Sequence, residues 1–204
     1  MLAEMSPPRH GLTMIELIVV VAVTAAVLAL SAPLFSEMVA TQRLRGVNSQ
    51  LMTDLQFARS EAVARNKAVR VVTGSNSSLS CYAVVVTDTP SLCDCTQTPG
   101  SICTGAAIEV RTVQVDQSLA VTIGSLKPSG SALVFYPVNG STSPYKPDAR
   151  STPPVISLSI DGGTGSRQKR LTTTIQVTGR PNVCYDTQYA TVSGFQACAR
   201  ANSN

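Results

Sequence analysis

The hydrophobic positions of the chain form one dense run near its start. Residues 12–30 read LTMIELIVVVAVTAAVLAL, and Glu16 is the single charged residue among them. Because a helix rises about 1.5 Å per residue, this run is just long enough to cross a bilayer. Arg9 precedes it as the positive flank expected on the cytoplasmic side of a membrane. The pattern therefore predicts a membrane-spanning helix that begins near residue 12.

The apolar positions after Pro33 recur at steps of three and four residues, as on one face of an amphipathic helix. Arg43, Asp54 and Arg59 fall on the other faces. Pro33 removes a backbone hydrogen bond and should kink the helix or melt it locally. We therefore predict one helix from residue 12 to about residue 66. The apolar positions of its second half are Met38, Leu44, Val47, Leu51, Leu55, Ala58 and Ala62.

From residue 68 the pattern changes to the alternation that half-buried antiparallel strands show, with Gly, Pro and Ser clusters as turns. The predicted strands are 68–73, 81–87, 108–115, 119–124, 132–137, 155–160 and 171–179. We expect an α+β fold in which one antiparallel sheet, or two, buries the helix face from Leu44 to Ala62. The predicted division is a segment 1–11, an apolar helix half 12–34, an amphipathic half 35–67 and a β-rich domain 68–204.

Composition adds two constraints to this picture. Hydrophobic residues make up 44% of the chain, and tryptophan is absent, so the core must be aliphatic. The net charge of +4 lies entirely from Glu109 onward, where nine basic residues face five acidic ones. This mild basic bias fits either a solvated surface or a site for an anionic partner.

All cysteines follow the hydrophobic run, which favours disulfides in an oxidising compartment. A zinc site is a poor alternative, because no Cys-x-x-Cys pair exists and His10 is the single histidine. We pair Cys184 with Cys198 to close a C-terminal loop. Cys93 and Cys95 are too close to bond comfortably with each other. Two bridges are therefore expected among the remaining four, with the pairing open: Cys81, Cys93, Cys95 and Cys103.

The stretch GLTMIEL at residues 11–17 resembles the type IV pilin and pseudopilin signature: a glycine, then an apolar residue, Thr, two apolar residues and Glu before a long hydrophobic run. The resemblance implies that a prepilin peptidase cuts between Gly11 and Leu12, removes the leader 1–11 and leaves Leu12 to be N-methylated. An ordinary secretory signal cut near Ala29-Leu30-Ser31 is the alternative. It fits less well, because the apolar run is long and continues into more helix.

The same resemblance gives Glu16 a role. The new amine of Leu12 and the carboxylate of Glu16 are each costly in an apolar environment but tolerable as a pair. The family pairs this Glu with the amine of a neighbouring subunit, so Glu16 is expected to set the register of assembly. The plain alternative is a carboxylate that reaches the membrane surface.

A second resemblance lies at the end of the helix. FARSEAVARN followed by AVRV, within residues 57–71, is similar to the GspH/FimT group of minor pilins and H-type pseudopilins. It implies a disulfide-stapled pilin-like fold and a minor subunit that helps initiate a type IV pilus-type filament. Partners would be other pilins or pseudopilins, the prepilin peptidase and the inner membrane. The protein would cross that membrane once, with a periplasmic C-terminal domain. The filament could be a pilus or the pseudopilus of type II secretion.

Some proteins of that group bind DNA for uptake through a C-terminal pattern that resembles Gly-Arg-x-Arg. Gly179 and Arg180 match it, whereas Asn182 stands at the second arginine. Arg167, Lys169 and Arg170 could replace the missing charge if they converge on a loop. The alternative is a charged hairpin turn without DNA.

No enzymatic function is expected. No Gly-x-Ser-x-Gly elbow, phosphate loop or dinucleotide fingerprint is present. Ser143 and Lys146 match Ser-x-x-Lys, but Pro144 and Pro147 make the required helical turn improbable. We expect no cofactor and no metal. A free-standing membrane-anchored adhesin, which needs no cleavage at Gly11, is a third class of function.

Overall fold

The structure, a computed structural model, describes residues 13–87, 92–128, 132–142, 155–163 and 165–198, without the side chains of residues 30–34 and 166. Gly11, Leu12 and the Ser143–Lys146 pair lie outside these ranges, as does part of the loop between residues 88 and 107. The chain divides into two compact units, Met1–Met38 and Val39–Asn204.

One helix, α1, runs over the 52 residues Met14–Arg65. The predicted single helix is therefore confirmed. The backbone stays helical through Pro33, so local melting, one of the two alternatives expected there, does not occur. Such a break is avoidable because Pro removes only one hydrogen bond from a ladder that extends far on both sides. Among the described residues, no helical stretch combines the length and the mean hydropathy of a membrane span.

In the described part of the unit Val39–Asn204, eight strands form two antiparallel sheets, which confirms the α+β fold class. The first sheet has the order β3-β2-β1-β5, and the second has the order β4-β6-β7-β8. The strands of the first sheet are β1 (Val69–Ser75), β2 (Leu79–Val86), β3 (Ile108–Asp116) and β5 (Leu133–Phe135). Those of the second are β4 (Val121–Lys127), β6 (Ile156–Gly162), β7 (Lys169–Ile175) and β8 (Pro181–Tyr185).

The last strand was missed by the sequence analysis. The predicted strand 171–179 ends at Ile175, because residues 176–180 make a turn in which Gly179 has φ +74°. β8 then begins at Pro181, opposite Ile175. A proline has no N–H to donate, and it is tolerated here because β8 is an edge strand of its sheet.

The core lies between the second half of α1 and both sheets. Leu44, Leu51 and Leu55 are at most 1% exposed, and Ala58 and Ala62 are fully buried beside them. These residues form one apolar cluster with inward-facing side chains of both sheets. The predicted burial of the helix face from Leu44 to Ala62 is therefore confirmed.

A buried polar contact fixes α1 against the first sheet. Asp54, 1% exposed, accepts a hydrogen bond of 2.8 Å from the Tyr82 hydroxyl. Its other oxygen lies 3.1 Å from Nε of Arg111. Burial, and after it the bond to Asp54, raises the pKa of Tyr82 well above its usual value.

The loop after β2 forms a second, smaller core on the opposite face of the first sheet. Disulfides join Cys81 to Cys95 and Cys93 to Cys103, which resolves the pairing that the sequence left open. Ile102 is buried there with Ala83 and Val85 of β2. These two alternate along the strand with residues of the main core, because successive side chains of a strand point to opposite faces. A third disulfide joins Cys184 to Cys198.

Candidate assembly segment and basic groove

The start of α1 is capped by its own sequence. The Thr13 hydroxyl accepts a hydrogen bond of 3.3 Å from the backbone N–H of Glu16, and the Thr13 carbonyl accepts one of 3.2 Å from Leu17. Thr13 and Glu16 thus have the spacing of a capping box. The carboxylate of Glu16 lies in the first turn, where the helix dipole favours negative charge. Glu16 is therefore part of the N-terminal cap of α1.

The helix between Met14 and Leu28 presents apolar side chains on every side. Each of its large apolar residues up to Leu28 is more than half exposed within its unit. A helix that is apolar all round needs a surrounding apolar phase or other helices. We call residues 13–29 the assembly segment. Its exposed members are Met14, Ile15, Leu17, Ile18, Val19, Val20, Val21, Val23, Val27 and Leu28.

A separate candidate lies in the unit Val39–Asn204, beside the last turns of α1. It is a groove of about 750 Å³ between the helix and the β7–β8 turn, and we call it the basic groove. Arg59 and Arg180 are its two charged residues, and among the described residues its lining contains no carboxylate. Its full lining is Gln56, Arg59, Ser60, Val63, Ala64, Asn139, Gly179, Arg180 and Pro181.

Two glycines allow the walls of the basic groove to approach each other. Gly179 has φ +74°, and a Cβ on it would lie 2.4 Å from the carbonyl oxygen of Gly140. Gly140 has φ +63°, and a Cβ on it would lie 2.5 Å from Cγ of Arg59. The side chain of Arg59, Gly140 and Gly179 are thus stacked in direct contact. This stacking places Arg180, the next residue, in the same groove as Arg59.

The β7–β8 turn is also held by hydrogen bonds. The N–H of Gly179 donates to the Gln176 carbonyl at 2.8 Å. The Thr142 hydroxyl donates to the same carbonyl at 2.9 Å, and the Thr142 N–H donates to Val177 at 2.9 Å. The position of Arg180 is therefore set by a braced turn.

The positive charges of the two groove arginines are not balanced by carboxylates of the described lining residues. Arg59 Nη2 donates to the backbone carbonyl of Asn139 at 3.4 Å, and no carboxylate within the described ranges forms an ion pair with Arg59. Arg180 is exposed, and within the described part of the chain its guanidinium makes no ion pair. Two like charges at one concave surface create a local positive potential.

The structure separates Arg180 from the other predicted cations. Arg180 lies next to the Ile175 end of β7, whereas Lys169 lies at the opposite end, paired with Gly162. A strand of seven residues spans about 20 Å. Arg167 lies in a short 3-10 turn just before Lys169. The four cations therefore do not form one cluster.

Two of these cations also have structural partners. Lys169 Nζ donates to the Thr41 hydroxyl of α1 at 2.8 Å. Arg170 pairs with Asp161, with Nη2 at 2.9 Å from Oδ2, and lies 4.2 Å from the ring centre of Tyr189. The bond to Asp161 raises the pKa of Arg170. The expectation that Lys169 and Arg170 lie on a loop is wrong, because both belong to β7.

Sequence reasoning missed Arg59 as a groove residue. It placed Arg59 on a charged helix face, which is correct but does not reveal the partner across the groove. That partner depends on contacts between residues about 80 and 120 positions further along the chain. Asn182, at the position of the second arginine of the motif, lines a different concavity on the outer face of the second sheet.

A helix that is apolar all round at its start and packs on antiparallel sheets in its second half has the architecture of pilin-like proteins. The chain matches the family of the type II transport protein GspH over residues 48–179, which is well over half its length, and it belongs to that family. Searches of curated proteins and of solved structures found no match.

Proposed function

We propose that this protein is a minor pseudopilin of a type II secretion system, which enters the pseudopilus through its N-terminal helix and helps start its assembly. Family membership supports the secretion system over a type IV pilus, because the matched family is named for type II transport. The observation that carries the proposal is the assembly segment, whose apolar side chains are exposed in every direction. Such a surface is stable only in lipid or among other helices.

The proposed route begins in the inner membrane. Residues 12–34 would span the bilayer, with the β-rich domain in the periplasm. The prepilin peptidase would cut between Gly11 and Leu12, and Leu12 would be methylated. The cut leaves an amine directly before the capping residue Thr13.

Glu16 would then pair with the Leu12 amine of a neighbouring pseudopilin. Both charges are costly in the apolar centre of a helix bundle, and pairing offsets most of that cost. A subunit displaced along the axis would leave both charges unpaired. Glu16 would therefore admit a subunit only in one register.

Processing is the first test of this proposal. The full chain is produced together with a prepilin peptidase, and its N-terminus is determined by mass spectrometry. Wild type should begin at Leu12, and Gly11→Ala should remain uncut. Gly46→Ala is the matched control, because nothing lies within 4 Å of a Cβ at Gly46. Cleavage of Gly11→Ala at the same bond would contradict the proposed site.

A second candidate function is DNA binding during uptake. The observation that favours it is the basic groove, where Arg180 of the Gly-Arg pair lies with Arg59. A groove with two arginines can contact phosphates without reading sequence. Titration of the full chain with duplex DNA at low and moderate salt tests it. Salt-sensitive binding that Arg180→Gln removes would favour this function.

A further inference from the structure

The basic groove is lined by two arginines from different elements and by exposed apolar residues. Arg59 comes from α1, and Arg180 comes from the β7–β8 turn. Val63, which is 50% exposed, Ala64 and Pro181 supply apolar surface between them. No carboxylate among the described lining residues balances these two charges.

This arrangement matches the chemistry of acidic peptide chains. Guanidinium groups bind carboxylates through two parallel hydrogen bonds, and these bonds are stronger where water is partly excluded. The neutral lining groups of Gln56, Ser60 and Asn139 add donors and acceptors for a peptide backbone. The apolar lining residues Val63, Ala64 and Pro181 can contact the methylene groups of a Glu or Asp side chain.

We infer that the basic groove docks an acidic polypeptide segment of a partner protein, whose carboxylates pair with Arg59 and Arg180. The inference goes beyond entry into a filament, which needs only the assembly segment. It assigns the unit Val39–Asn204 a partner-binding face of its own.

A nucleic-acid duplex fits this groove less well. Duplex binding usually draws on several phosphate contacts along a basic surface, and both its affinity and its salt dependence grow with their number. The groove has two cations. Arg167, Lys169 and Arg170 lie about 20 Å away at the other end of β7, and all three already have partners. Asn182 adds no charge.

The test measures peptide binding to the full chain in a non-ionic detergent. Fluorescein-labelled octaglutamate is the probe, octaglutamine is its uncharged control, and binding is followed by fluorescence anisotropy. Wild type should bind octaglutamate saturably and ignore octaglutamine. Arg59→Gln with Arg180→Gln should weaken binding about tenfold or more, because two charge-assisted contacts are lost.

Two controls keep the result interpretable. Lys127→Gln with Arg167→Gln removes the same charge away from the groove, and it should change the affinity about twofold at most. Arg180→Gln alone is also measured, because Arg180 is exposed and its loss leaves the packing of Arg59 on Gly140 intact. It should weaken binding by itself.

Three outcomes would overturn the inference. In the first outcome, octaglutamate does not bind to the wild-type protein. In the second, the groove double variant and the control double variant lose the same amount of affinity for octaglutamate. In the third outcome, a short DNA duplex displaces the peptide at a lower concentration than unlabelled octaglutamate, and the groove variant loses the duplex as well. That result would assign the groove to nucleic acid.

Discussion

At the scale of single residues, two glycines and one buried carboxylate organise the unit Val39–Asn204. Gly140 and Gly179 adopt left-handed backbone conformations and touch each other, which lets the β7–β8 turn lie against Arg59. The sequence pointed to Gly179 through its Gly-Arg pair. The contact of Gly179 with Gly140 could not be predicted from the sequence, because the two glycines meet only in the folded unit.

Gly179→Ala should destabilise the unit by about 1–3 kcal/mol, because the new methyl meets a carbonyl oxygen in a strained conformation. Gly46→Ala is the control and should stabilise the helix by up to about 1 kcal/mol. Urea unfolding of the full chain in detergent, followed by circular dichroism, measures both. Equal stability of Gly179→Ala and wild type would show that the turn does not need glycine.

Tyr82 should make stability fall at alkaline pH. Its pKa is raised in the folded state by burial and by Asp54, so its proton stabilises the fold fully below its unfolded pKa of about 10. That contribution is lost as pH rises above this value. Tyr82→Phe should therefore show a flatter decline in unfolding free energy above about pH 10 than wild type. An unchanged decline would mean that other groups cause it.

At the scale of elements, the hydrophobic period predicted α1 and seven of the strands. It worked because Leu44, Leu51 and Leu55 face a real core at helical spacing. β8 was missed because it is short, begins with proline and has β7 as its one neighbouring strand among the described strands. The smaller core formed by the loop after β2 could not be predicted from the sequence either. The residues that this core buries depend on which cysteines form disulfides with each other.

Opening the bridge between Cys93 and Cys103 should loosen one loop and leave the sheets intact. Two backbone bonds lie beside this bridge, from Asp94 to Ile102 and from Thr104 to Leu92. In Cys93→Ser with Cys103→Ser, their amides should exchange hydrogen faster, whereas those of β6 and β7 keep their protection. Cys184→Ser with Cys198→Ser is the matched control and should leave the loop protected. Loss of protection throughout β6 and β7 in the first variant would contradict a local role.

At the scale of the whole molecule, the two units carry different kinds of surface. The assembly segment offers apolar side chains on all sides, and the basic groove offers paired arginines. The first was evident from the sequence, because an apolar run needs no tertiary contact to be recognised. The basic groove was predicted only in part, because the sequence analysis proposed Arg180 as a binding residue but did not propose Arg59. The chain as a whole belongs to the family of the type II transport protein GspH, whose model matches residues 48–179.

The central claim is that Glu16 admits this subunit to a filament. The most direct measurement is the amount of the cleaved chain in isolated pseudopili, for wild type, Glu16→Ala and Glu61→Ala. Glu61→Ala removes a carboxylate from the other half of α1 and serves as the control. We predict that all three are cleaved, that wild type and Glu61→Ala enter the filament, and that Glu16→Ala stays in the membrane. Entry of Glu16→Ala at the wild-type level would contradict the account.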